Sequence, residues 1–298
     1  MGNKIKPIYL PKFWRSVLHL LLYFGIEFAL IIPIVFFVGV ISGISRMESA
    51  NIEEIMSFFS NSLVNGILTI AISAVFLLIL KSRYSFEAKT LFSRRYLSAG
   101  VILAAVITTV GAAILTSEAD NFMSKLIPNW DLMGAGVSEM FNASPWWQNF
   151  LGAVIIAPLN EEFILRGLWL RGYTKHYKPW AGLVISSVIF GVMHMNLPQF
   201  VGATLSGLLL GWAYIKTKSI VLPIFIHAVH NSIALFGGVV SIPGFSVEST
   251  TGYQPLWFDA LGLILVVVGI YLLNRLLNAE HNKIIHPRPS ELAMETQE

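Results

Sequence analysis

Between positions 148 and 170 the chain reads QNFLGAVIIAPLNEEFILRGLWL, an apolar run interrupted by Glu161, Glu162 and Arg166. About 20 apolar residues in a helix span a hydrocarbon core of roughly 30 Å, so the run is long enough to cross a bilayer. A charge at the centre of that core costs about 2.5–3.5 kcal/mol on insertion scales. Three such groups cannot face lipid unpaired. The stretch therefore reads as a spanning helix that turns its charged side towards other helices or a watery cavity.

The rest of the chain supplies those helices. Of 298 residues, 55% are hydrophobic and only 12% charged, about half the charge of a soluble globular protein. Apolar runs at 17–44, 56–80, 97–116, 148–170, 180–197, 199–215, 219–236 and 256–277 predict an all-α, polytopic membrane protein with about eight transmembrane helices. Residues 1–277 read as a single transmembrane helical domain with its core at 148–236, and residues 278–298 as a polar, disordered cytoplasmic tail. The first run is far longer than the apolar stretch of a signal peptide, about 7–15 residues, and reads as a retained span. The segment 117–147, with Trp130, Trp146 and Trp147, reads as an external loop with anchoring aromatic residues.

Charge placement tests the number of spans. With the N-terminus in the cytoplasm, 17 of the 20 basic residues fall on the cytoplasmic side, Arg46 and Lys125 fall opposite, and Arg166 lies inside a span. Eight helices with both N- and C-termini cytoplasmic satisfy the positive-inside rule. A bacterial source implies the plasma membrane. The absence of cysteine excludes disulfides and thiolate nucleophiles, and a net charge of +3 gives no support for a nucleic-acid partner.

Chemistry is concentrated in three runs. Glu162 and Arg166, at i and i+4, share a helix face and read as an ion pair. Glu161 points about 100° away and is left to act as a base. The alternative, in which both acids pair with Arg166, is not separated by spacing. Phe190-Gly-Val-Met-His194 contributes one imidazole. His227-Ala-Val-His230-Asn231 contributes His227 and Asn231 on one face, with His230 in support or purely structural. Peptide hydrolysis needs an activated water and donors for the developing oxyanion. Glu161 can take the proton from water, His194 can hold that water, and His227 and Asn231 can face the oxyanion. Two readings compete. Glu161, His194 and His227 could bind a divalent metal, although no HExxH spacing is present. The polar cluster could instead join helices or form an ion path. Glu27, another acid deep in an apolar run, reads as a lone bundle-facing group. One strain is visible: His194 lies about 21 Å beyond Trp180 but Glu161 only about 14 Å before Leu170. A fifth helix starting in the cytoplasm would reconcile them.

The motifs Glu161-Glu162-Phe-Ile-Leu-Arg166, Phe190-Gly-Val-Met-His194 and His227-Ala-Val-His-Asn231, in this order, resemble the CPBP family of CAAX proteases and bacteriocin-processing enzymes, also called Abi. The resemblance covers 148–236. It implies an intramembrane glutamate protease of the type II CAAX endopeptidase kind, with Glu161, His194, His227 and Asn231 catalytic, Glu162 and Arg166 supporting, and no metal or other cofactor. It also implies a membrane-associated peptide or protein substrate, with bacteriocin maturation or self-immunity as a role. A non-proteolytic membrane partner that regulates a sensor kinase is the alternative.

Overall fold

The computed structural model describes residues 10–46, 61–80, 84, 88–127, 144–237, 242–245 and 252–286, and among them all regular secondary structure is helical. Helix α1 is Phe13–Arg46, α2 Ser62–Leu80, the short α3 Ala88–Leu91 and α4 Ala99–Leu126. Helix α5 is continuous through Trp146–Asn149, Phe150–Ile156, Ala157–Glu162, Phe163–Leu170 and Arg171–His176. Then come α6 (Pro179–Met193), α7 (Leu197–Thr217), α8 (Val221–Phe236) and α9 (Leu256–Ile285). Among the described residues, eight long helices overlap the eight runs expected to span.

Four of them, Phe13–Val40, Ser62–Leu80, Ala99–Leu126 and Leu256–Ile285, are long and apolar enough to cross a membrane. Helices α6 and α8 are apolar but short, about 22–24 Å at 1.5 Å per residue. Large apolar side chains on the outer faces, such as Leu18, Phe28 and Phe36 of α1 and Leu263, Val267 and Tyr271 of α9, are exposed. The core beneath is built on Phe76, Leu165, Leu168, Trp169 and Tyr173.

Three boundaries differ from expectation. Helix α4 continues ten residues beyond 116, so the first part of the expected external loop is helical; 128–143, with Trp130, lie outside the described residues. Its polar end finds partners far along the chain: Asn121 donates to the Gly244 carbonyl (2.6 Å) and the Glu118 carboxylate accepts from the Gln254 backbone N–H (2.9 Å). Helix α9 continues through Ile285, eight residues into the expected tail, and 287–298 lie outside the described residues. Helix α5 runs to His176, six residues past its expected end.

The basic segments gather at one end of the bundle. His176 bonds the Leu10 carbonyl, Ile220 N–H donates to Leu91, Tyr96 pairs with His281 and Lys216 with Asn278. The opposite end holds Lys125 over the Tyr253 ring, 3.3 Å from its centroid.

Without a hydrophobic force between helices in lipid, close backbone approach through small residues substitutes for it. The seam between α4 and α9 is made this way. A Cβ on Gly111 would lie 2.6 Å from the Gly262 carbonyl oxygen and 2.7 Å from Val266 N; one on Gly269 would lie 2.5 Å from Thr108 Oγ1. Gly111→Ala should force these backbones apart and lower stability by about 1–3 kcal/mol, as overpacking does. A reduced thermal midpoint in detergent checks this, and an unchanged midpoint would contradict so tight a seam.

Candidate active site

The α5–α6 hairpin sets the level of the site. Glu161 lies fifteen residues before His176, and His194 fifteen after Pro179, with Tyr177 and Lys178 between the helices. Arms of equal residue count bring the two side chains to a similar level, about 20 Å from the turn. The depth strain in the sequence thus disappears because α5 is longer than expected. Helix α8 starts beneath the short α3: Ser219 Oγ donates to the Leu91 and Ser93 carbonyls, and Ser219 and Ile220 are buried there.

Helix α5 is unusual where it carries the acids. Pro158 has no N–H to donate to the carbonyl four residues back, and its ring crowds that carbonyl. The chain answers with a π-helical section at Phe150–Ile156, returns to α geometry over Ala157–Glu162, and widens again over Phe163–Leu170. Such widened turns recur at functional sites.

The two glutamates have different surroundings. Glu162 and Arg166 are both fully buried, and Arg166 Nη1 donates to Glu162 Oε1 at 2.9 Å, so the ion pair read from i,i+4 spacing is present. Arg166 Nη2 also donates to the Gly207 carbonyl on α7 at 3.0 Å. His227 Nδ1 lies 2.9 Å from the same Glu162 Oε1. A carboxylate paired with Arg166 can only accept, so Nδ1 carries the hydrogen. The other ring nitrogen, Nε2, faces Glu161 Oε2 at 3.8 Å, beyond direct hydrogen-bond reach. Glu161 keeps 27% of its side chain exposed. His227 therefore sits between the two acids, bonded to one and facing the other.

His194 closes α6, and the next residue, Met195, has φ 46°, a left-handed conformation uncommon outside glycine. That reversal, followed by Asn196 capping α7 through Gln199 N–H, leaves the imidazole exposed at the helix end. Its Nδ1 lies 2.9 Å from the Phe190 carbonyl, which leaves Nε2 outward. Phe190 is the hub that the sequence reading quoted without a role. Its ring meets His194 edge-on at 4.9 Å and His227 at 5.5 Å, with the Arg166 guanidinium 4.9 Å over its face.

Asn231 faces α5, as expected of a residue one turn from His227, and its amide donates to the Ala153 carbonyl at 2.8 Å inside the first π section. His230 turns elsewhere, with Nε2 3.2 Å from Thr116 and 3.3 Å from Ser206, and ties α8 to α4 and α7. Glu27 is half-buried on α1. Among the described residues no group of three His, Cys, Asp or Glu side chains is arranged to hold a metal ion. Sequence reasoning missed Tyr23, whose hydroxyl accepts from Asn160 beside Glu161; a lone tyrosine in an apolar run carries no signal of its own.

Apolar helices surround a buried acid–histidine cluster, the arrangement of an integral membrane protein. Residues 143–233 match the Rce1-like family, described as type II CAAX prenyl endopeptidase Rce1-like, and the resemblance carried by the three motifs is thereby shown. The chain is 33% identical over 101 residues to the Bacillus subtilis (strain 168) protein named "Putative membrane peptidase YdiL", covering 34% of this chain and 41% of that one. It is likewise 33% identical over 89 residues to an Escherichia coli "Uncharacterized 24.3 kDa protein", covering 28% of this chain and 41% of the relative. The chain thus spans well under half the length of either curated relative it matches. No solved structure matches it.

Proposed function

We propose that the chain hydrolyses a peptide bond in a membrane-associated substrate, with Glu161 as general base towards water. The observation that carries this reading is the contrast between adjacent acids. Glu162 is neutralised inside the protein, whereas Glu161 keeps an open carboxylate facing His227 Nε2. The family match favours hydrolysis over a binding-only role.

In this reading Glu161 draws a proton from a water that His194 Nε2 helps to hold, and the resulting hydroxide attacks the scissile carbonyl. Negative charge on the tetrahedral oxygen meets Asn231, whose amide has a second hydrogen beyond the one given to Ala153, and His227 Nε2 in its protonated form. Glu161 then returns its proton to the leaving amine. A substrate with an apolar anchor, prenylated or a bacteriocin precursor, suits a site among lipid-facing helices.

The test is cleavage of a quenched fluorogenic peptide with a prenylated CAAX end by the purified protein in detergent. Asn231→Ala should lower kcat by about 10²–10³-fold, the usual cost of one oxyanion donor. Absence of turnover by the natural protein on prenylated and unprenylated peptides alike would reject the proposal.

A further inference from the structure

Asn160, Glu161 and Glu162 are three consecutive polar side chains on one turn, about 100° apart. The outer two are tethered to opposite walls. Glu162 is held by Arg166 and by His227 of α8. Asn160 Nδ2 donates to the Tyr23 hydroxyl of α1 at 3.3 Å, and that hydroxyl lies 3.3 Å from Ser73 Oγ of α2. The Tyr23 ring is set edge-on against Phe76, centroids 5.6 Å apart, which gives the phenol a packed wall. Between the tethers Glu161 is free. The turn that carries it lies between two π sections, whose looser winding leaves the rotation of that turn to its side-chain contacts.

We propose that Tyr23 is a positioning residue for the hydrolysis: by receiving Asn160 it fixes the rotation of the Ala157–Glu162 turn and hence the direction of the Glu161 carboxylate. This role rests on the hydrolytic reading given above. It is separable from docking of α1. That helix is also held where Ser16 bonds Tyr173, where His19 meets Tyr84 at 3.1 Å and where the Leu10 carbonyl meets His176. Loss of one hydroxyl leaves those contacts and the Phe76 packing in place. The Tyr23 hydroxyl also lies within electrostatic reach of Glu161 and Glu27, as a group beside the reacting carboxylate must.

The experiment is a double-mutant cycle on the purified full chain with the quenched prenylated peptide, reading kcat and KM separately. Tyr23→Phe and Asn160→Ala should each lower kcat by about 3–10-fold, the worth of one neutral hydrogen bond. KM should stay within about twofold, as for an interaction used only in the transition state. The double variant should be no slower than the slower single one, because both changes break the same link. Thermal midpoints should match the natural protein. Full activity in Tyr23→Phe, or losses that multiply in the double variant, overturns the role. Full activity in Glu161→Gln, or no turnover by the natural protein, overturns the hydrolytic reading with it. A dead Glu161→Gln beside a fully active Tyr23→Phe overturns the positioning role alone.

Discussion

Glu161→Gln is expected to lower kcat for peptide hydrolysis by about 10²–10⁴-fold, the usual worth of general base catalysis, with folding unchanged. Glutamine keeps the shape and can still bond a water, but it cannot take that water's proton. Structural damage is not expected, because Glu161 is partly exposed and His227 Nε2 is 3.8 Å away. Peptide turnover and a thermal melt on the same preparation measure the two halves of this expectation. Turnover within about threefold of the natural protein would remove Glu161 from the chemistry, since a lost base costs far more.

Arg166→Met should behave in the opposite way and damage the fold. It leaves Glu162, fully buried, with His227 as its remaining ionic partner, and it abandons the Gly207 carbonyl on α7. Breaking a buried pair from one side costs about 3–5 kcal/mol, whereas replacing both charges by apolar groups is often close to neutral. The single variant should therefore melt far earlier than the natural protein, and Glu162→Leu with Arg166→Met should recover part of the loss. Neither should hydrolyse peptide well, because in both the support beneath His227 is altered. A single variant that melts like the natural protein would show that the pair does not hold α5 against α7.

Local spacing made much of this legible. The i,i+4 rule alone paired Glu162 with Arg166 and put His227 and Asn231 on one face, and both relations are present. What spacing could not give was the partner of each group across helices. His227 Nδ1 bonds Glu162 while Nε2 faces Glu161, a relation between α8 and α5 that no spacing within one helix contains. Hydropathy ended the third span at 116 because Ser117, Glu118, Asp120 and Asn121 follow. The helix continues to Leu126 because Gly244 and Gln254, more than a hundred residues later, satisfy that polar turn. The first widened section of α5 follows from Pro158 only once its neighbours are known to be helical. Tyr23 was hidden for a simpler reason: its importance lies in Asn160, a side chain that the motif flanks but does not contain.

The widened turns have a consequence for heredity as well as chemistry. Each takes up more residues than regular winding over the same rise, so the compass bearing of Glu161 relative to both ends of α5 is stored as a count of amino acids. One codon lost or gained between Phe150 and Leu170 turns everything beyond it by about a quarter-circle. A lineage can exchange apolar letters of matching size in this stretch, but it can alter their number only by re-aiming the carboxylate.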